Sequence, residues 1–164
     1  MYYTLFETGT PIGSVMLAAT ERGLCTLSFH ADVPRDGVER ESELRPYVRE
    51  LAEYFRGDRK LFEAPLDLHG TEFQKACWQA LIDIPYGETR SYGQQARTIG
   101  RPAAFRAVGQ ANHCNPVAII VPCHRVIGSG GKLTGYGGGL HVKEWLLELE
   151  RANTSNQLSL VANS

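Results

Sequence analysis

The chain has 164 residues, 43% hydrophobic and 21% charged, enough for one good core or two small domains and too apolar for a disordered chain. No apolar run approaches the length of a membrane span, and Met1-Tyr2-Tyr3-Thr4 lacks the charged-then-apolar leader of a secretory signal. The expected location is therefore the cytoplasm. The net charge of −1 hides an asymmetry: residues 1–70 hold eight Lys/Arg and twelve Asp/Glu, whereas no acidic residue falls between Thr89 and Lys143. Arg90, Arg97, Arg101, Arg106, Arg125 and Lys132 lie in that stretch. A polyanion is its natural partner, against the alternative of a chance cluster on a solvated face.

From the N-terminus, Tyr2 to Phe6 and Val15 to Ala18 are β-prone and flank the hairpin turn Gly9-Thr10-Pro11-Ile12-Gly13. A third strand is expected near Leu24 to Phe29, then a polar loop over 31–43 with Pro34 and Asp36-Gly37. Val48, Leu51, Ala52 and Phe55 follow helical spacing, closed by Gly57-Asp58, and a short strand is expected around Leu61 to Leu66. Residues 1–68 thus read as an α/β domain, a small antiparallel sheet with a helix.

His69-Gly70 reads as a hinge to a second, mainly α domain over 69–152. Thr71-Glu72-Phe73-Gln74 is a capping box, and Phe73, Ala76, Cys77, Ala80 and Leu81 form the stripe behind it. Ser91 and Gln94 form a second box, opening a short helix from Tyr92 to about Ile99. Gly100-Arg101-Pro102 is a tight turn, with Pro102 suited to the first position of a helix running to about Ala111. Two short helices joined this way, in the acid-free zone, have the form of a helix-turn-helix; a plain helical hairpin in a core is the alternative. Gly128 to Gly139 holds seven glycines and is expected to form a loop or wing that lets backbone approach a ligand, with Tyr136 as a flat wall. Val142, Trp145, Leu146 and Leu149 mark a last helix, and a flexible tail is expected from Asn153 to Ser164.

The four cysteines are Cys25, Cys77, Cys114 and Cys123; they form no CxxC pair and no zinc-spaced set with histidine. Cys25 and Cys77 lie in apolar patterns and read as packing residues. Cys123 differs, with His124 and Arg125 beside it after the apolar run from Val117 to Val121. A nucleophilic thiol needs a proton acceptor and a nearby cation, and a structural one needs neither. Adjacent residues of an extended chain point to opposite sides, so the pair needs a bend or a bridging water. Glu144, Glu148 and Glu150 are candidates to orient the imidazole, and spacing does not choose among them. Arg125 either lowers the thiol pKa or holds the loop by hydrogen bonds. His30, His69, His113 and His141 have no such neighbour and read as surface or capping residues.

Pro122-Cys123-His124-Arg125-Val126 resembles the active-site signature of the O6-alkylguanine-DNA alkyltransferases. The resemblance extends from about Thr71 to Glu150, through Ile84-Pro85-Tyr86-Gly87, Ser91-Tyr92, Arg106-Ala107-Val108-Gly109 and Lys143-Glu144-Trp145-Leu146-Leu147. The strand-rich part resembles the family's variable N-terminal domain. This implies a winged helix-turn-helix in the second domain and irreversible, single-turnover DNA repair. The alkyl group of O6-alkylguanine, and of O4-alkylthymine, would pass from duplex DNA to the protein's own cysteine after base flipping from the minor groove.

By position, the resemblance makes Cys123 the nucleophile, His124 the base acting through a water, Glu150 its orienter and Asn115 the holder of the cysteine loop. Arg106 would fill the gap left by the extruded base, on a helix whose Ala107 and Gly109 allow close approach. Tyr92, beside Ser91, would crowd the adjacent phosphate and donate to the base. The carbonyls of Cys123 and Val126 would accept from the guanine amine, and Tyr136 and the Gly137 backbone would close the pocket. The resemblance further implies no cofactor and a protein monomeric in solution, with or without cooperativity along DNA; some relatives hold a structural zinc in the N-terminal domain, but the corresponding cysteines and histidines are not apparent here, so no metal is expected. Gly137 stands where relatives can have serine, Phe105 is bulkier than the usual neighbour of the arginine, and Cys123 separates the chain from non-catalytic relatives with tryptophan there. A DNA-binding protein without transfer activity, or a cysteine hydrolase, is the alternative reading.

Overall fold

The structure, a computed structural model, describes residues 1–162, with side chains to Thr154. Strands β1 (Tyr2–Glu7) and β2 (Ser14–Ala19) pair antiparallel in the expected hairpin, and β3 (Leu24–Ser28) pairs antiparallel with β2. The sheet is not purely antiparallel. Val38–Glu39, expected within a loop, forms β4 parallel to β1, giving the order β3-β2-β1-β4. The edge backbone of β1 needed a partner, and a pair this short leaves no periodicity to read. Helix α1 (Glu41–Phe55) lies over the sheet on Leu44, Tyr47, Leu51 and Tyr54, and Gly57 ends it in the left-handed region at φ 81°.

The strand expected over 61–66 is reduced to a single bridge between Leu24 and Leu66. The buried carboxylate of Glu50 takes the backbone N–H groups of Glu63 and Ala64, at 2.9 and 2.8 Å, that a sheet would otherwise have used.

Both predicted capping boxes form, opening α2 (Glu72–Ile82) and, after the two-residue strand β5 (Arg90–Ser91), α3 (Tyr92–Thr98). Helix α4 (Phe105–His113) starts later than expected. Pro102 sits instead in a turn closed by Ala104 N–H to Arg101 O at 2.9 Å, where its fixed φ also fits. Cys77, Ala96, Val108 and Ala111 pack α2, α3 and α4 together, with Trp78 Nε1 donating to Ala111 O at 2.9 Å. Buried Gln95 and Asn112 bond reciprocally at 2.9 and 2.8 Å.

A 3-10 turn (Cys123–Arg125) runs into β6 (Val126–Ile127), which pairs in parallel with β5. The glycine-rich loop holds only a 3-10 turn at Ser129–Gly131, broken by Gly130 at φ 72°. Helix α5 (Leu140–Ala162) continues through the segment expected to be a tail from Asn153; residues 163–164 lie outside the described residues. The main core is shared by both halves, joining Leu17, Leu27, Leu51 and Tyr54 to Trp78, Ile119, Val126 and Leu146. No described helix is long and apolar enough to cross a membrane.

Candidate active site

The backbone leading to Cys123 is fastened on two sides. Leu27 of β3 donates to Pro116 O at 2.9 Å and accepts from Ala118 N–H at 3.2 Å, tying the approach to the edge of the sheet. The Asn115 side chain donates to Val121 O at 2.7 Å and accepts from Val117 N–H at 3.0 Å, closing the loop from within. Buried Ile119 is held at φ 72°, which a β-branched residue adopts only under constraint, at a cost of about 1–3 kcal/mol. The chain bends again where Cys123 N–H reaches Val121 O at 2.8 Å. The bend that an extended pair lacked is therefore supplied by the 3-10 turn.

His124 is fully buried, and its Nε2 lies 2.7 Å from Glu150 Oε2. Among the three candidate acids the geometry selects Glu150. Burial alone would raise its carboxyl pKa, but hydrogen bonds and charge from His124 and Arg125 hold it well below the usual carboxylate range. An ionised acceptor there requires the proton on His124 Nε2, leaving Nδ1 with the lone pair of a base. Nδ1 is buried and has no hydrogen-bond partner among the described protein groups. Burial lowers the His124 pKa, and Glu150 only partly opposes this.

Arg125 holds the loop by hydrogen bonds. It grips Glu150 through Nε at 2.8 Å and Nη2 at 3.0 Å, and Ile84 O through Nη1 at 2.7 Å. A second cation, Lys143, is buried on α5. Burial raises the Cys123 pKa, while Asn115 and Lys143 pull the other way. Lys143 Nζ also donates to Val126 O at 2.7 Å. One lone pair of the carbonyl expected to read the guanine amine is thus occupied, and Val126 itself is buried.

Half-buried Cys123 opens into a cavity of about 400 Å³ that Tyr92, Gly109, Asn115, Tyr136 and Gly137 also line. Tyr92 OH lies 2.6 Å from Thr134 Oγ1, so it is free to donate elsewhere only when Thr134 is the donor between them. Gly109 faces the Tyr92 ring: a Cβ there would lie 3.6 Å from it. The Tyr136 hydroxyl is buried without a hydrogen-bond partner among the described residues. Ser91 spends its hydroxyl on the α3 cap. Arg106 and Ala107 are exposed on α4 and do not line the cavity, and the Arg106 guanidinium lies 5.9 Å from the ring of Phe105.

Several participants were not legible beforehand. Thr26 to His30 of the first half form one cavity wall, and the Phe29 ring meets Tyr136 edge-on at 5.5 Å. Tyr54 OH donates to Glu150 Oε2 at 2.6 Å, and Gly87 N–H to Oε1 at 3.2 Å. The one available signal for Tyr54 was its spacing of three residues from Leu51, which turns it toward the same side of α1, since a buried tyrosine hydroxyl needs a partner. Among the described residues, no three His, Cys, Asp or Glu side chains are grouped to hold a metal ion.

Both halves of the chain have counterparts in known proteins. Residues 72–152 match the DNA-binding domain of 6-O-methylguanine DNA methyltransferase, and residues 1–68 match its ribonuclease-like domain. The methylated-DNA–protein-cysteine methyltransferase of Methanosarcina acetivorans is 54% identical over 155 residues, covering 92% of this chain and 98% of that one. Its counterpart in Mycolicibacterium paratuberculosis is 50% identical over 155 residues, covering 92% and 94%. The crystal structure of Mycobacterium tuberculosis OGT in complex with DNA superposes with a TM-score of 0.88 at 47% identity, covering 93% of this chain and 94% of that one. With sequence and fold in agreement over nearly its whole length, the chain belongs to the methylated-DNA–protein-cysteine methyltransferase family.

Proposed function

We propose that Cys123 is the acceptor in this chain and that His124 and Glu150 activate it. The family activity is repair of O6-methylguanine in DNA by methyl transfer to a cysteine of the protein. The observation that carries the assignment is the Glu150–His124 pair at 2.7 Å, directly behind the one cysteine that opens into the cavity. Glu150 fixes the ring so that Nδ1 is the basic nitrogen. The Cys123 proton passes through a water to Nδ1, and the sulfur attacks the methyl carbon. The S–C bond forms as the C–O6 bond breaks, and its electron pair goes into the guanine, which takes up a proton. Lys143 favours the thiolate during this step. Tyr92 neutralises the leaving base by donating to it, with Thr134 turned to supply its own hydrogen. The thioether is stable, so each molecule acts once.

The same reading makes the exposed face of α4 the contact with duplex DNA in the minor groove. Arg106 takes the place of the flipped base, and Ala107 and Gly109 let the backbone approach. The Ser91 cap presents Tyr92 to the adjacent phosphate. Backbone carbonyls of Cys123 and Val126 hold the guanine amine, each with its second lone pair because the first already accepts from Val126 N–H and Lys143 respectively, and Tyr136 and Gly137 close the rim. O4-alkylthymine is a second substrate. The protein acts as a monomer without a cofactor, and a reducing compartment such as the cytoplasm keeps its thiol free. Labour divides between residues 1–68, which complete the cavity wall, and residues 69–152, which bind DNA and accept the alkyl group.

Incubation with duplex DNA carrying O6-methylguanine, followed by intact mass and peptide mapping, tests this. One methyl increment on Cys123 is expected. An increment on another residue, or tight binding without one, overturns the assignment. A duplex with O4-methylthymine tests the second substrate in the same way.

A further inference from the structure

Glu150 Oε2 accepts three hydrogen bonds, from Tyr54 OH at 2.6 Å, His124 Nε2 at 2.7 Å and Arg125 Nη2 at 3.0 Å. Its other oxygen takes Arg125 Nε at 2.8 Å and Gly87 N–H at 3.2 Å. Every donor but Tyr54 comes from the second half of the chain. Tyr54 arrives from α1, is fully buried, and is braced by the rings of Phe55, Phe62 and Tyr86 at 5.6, 5.3 and 6.1 Å. The end of α1 lies close against α5. A Cβ on Gly57 would lie 2.5 Å from Asn153 Oδ1, and Asn153 in turn donates to Tyr86 OH at 3.3 Å. A phenylalanine would fill the same apolar space, so packing does not account for the hydroxyl.

We propose that Tyr54 is a positioning residue for the alkyl transfer: its hydroxyl, delivered by α1, holds Glu150 Oε2 where that oxygen fixes the His124 ring. The sheet-bearing half of the molecule thereby sets the base of a reaction whose nucleophile lies in the other half. The proposal rests on the roles given above to His124 and Glu150.

The groups facing this cluster are few. Arg125 and Tyr86 face Tyr54 together with Glu150; Arg125 and Lys143 bear on His124, and Tyr136 bears on Glu150 and Cys123. Burial first, then the charge of Glu150, raises the Tyr54 pKa well above its usual value, so the hydroxyl remains a donor across the working range of pH. Removing that donor leaves the carboxylate less satisfied. It then draws harder on the His124 proton and favours the imidazolium, which is not a base.

Single-turnover transfer from O6-methylguanine duplex, measured from acid to alkaline pH, tests this on Tyr54→Phe. At neutral pH the rate should fall about 10-fold, the lower end of what loss of an outer partner to an orienting group costs. The acid limb of the profile should move to higher pH. Phe55→Leu, which loosens the same core without touching Glu150, should lower Tm and leave the midpoint of that limb in place. In a Glu150→Gln background, Tyr54→Phe should add almost nothing, since both act through one carboxylate. An unchanged rate, a loss of rate with an unmoved limb, a limb that moves equally in Phe55→Leu, or additive losses each overturn the proposal. So does a Tyr54→Phe protein that fails to fold while Phe55→Leu folds, because the hydroxyl would then be structural. If Glu150→Gln alone transfers at the normal rate, it is the underlying site assignment that fails.

Discussion

Behind Cys123, Glu150 is 1% exposed and collects hydrogen bonds from Tyr54, Gly87, His124 and Arg125. In front of it, Arg106 stands in solvent beside Phe105, which is 48% exposed and rests on no core. The first region is finished in the free protein: its charges are paired, its tautomer is set and its strain at Ile119 is already stored. The second is unfinished, a cationic surface whose apolar and charged groups have no partner within the described chain comparable to those behind the cysteine. Acid–base chemistry inside a protein needs fixed dipoles before the substrate arrives. On the function proposed above, the second region meets a duplex that must itself deform, and such recognition gains nothing from a surface satisfied in advance.

The sharpest way to separate the two regions is to remove the sulfur. Cys123→Ala should abolish transfer outright while duplex affinity, measured by anisotropy at fixed salt, stays within about 2-fold, because phosphate contacts dominate binding. Parallel loss of binding would show that the regions are not independent.

Glu150→Gln should strike the buried region alone. Leaving Arg125 and His124 without their anion should lower unfolding stability by about 3–5 kcal/mol in urea titrations. The sign of the pH dependence follows from the shifts. Glu150 titrates below its unfolded value, so its stabilisation is complete above the ordinary carboxylate range and is lost as pH falls below it. His124 is also depressed, so the unfolded chain takes up the extra proton first, and stability falls on acidification below the usual histidine range. Tm against pH should therefore fall steeply toward acid in the native protein and less steeply in Glu150→Gln. On the alkaline side, the raised Cys123 and Tyr54 hydroxyl pKa values predict loss of stability as pH climbs past the unfolded values of those groups.

Arg106→Ala should affect only the exposed region, slowing repair in duplex on the order of 10-fold while leaving reaction with a free O6-alkylguanine base unchanged, since no base need be flipped. An equal loss with the free base would place Arg106 in the chemistry. The smallest effect is expected at the rim. Nothing lies within 4 Å of a Cβ built on Gly137, so Gly137→Ser should fold normally and change the duplex rate by less than about 3-fold, detectable in single-turnover assays.

Legibility followed the range of the interactions involved. The two capping boxes at Thr71 and Ser91 and the hairpin at 9–13 rest on residues within a few positions of one another and formed where expected, whereas the buried stripes are turned: α1 buries Leu44, Tyr47 and Tyr54 beside Leu51 and Phe55, and α2 buries Trp78 while Ala76 stays exposed. Pro102 misled because its fixed φ suits the first turn of a helix and the second position of a β-turn equally. The strand at 38–39 and the missing strand at 61–66 were decided by distant groups, the edge of β1 and the carboxylate of Glu50.

The same division holds at the site. The amino-acid order by itself determined that Cys123, His124 and Arg125 stand together, that cations crowd the helix pair, and, through resemblance, which family the chain would join. Only the tertiary structure decided that Glu150 rather than Glu144 or Glu148 meets the imidazole, that Arg125 spends itself on that carboxylate while Lys143 is buried against the Val126 carbonyl, and that Tyr54 reaches across from α1. The polar groups brought together from positions 54, 87, 124, 125 and 150 share no local pattern. Their partnership exists only once a common core has expelled water and left each of them one place to find a hydrogen bond.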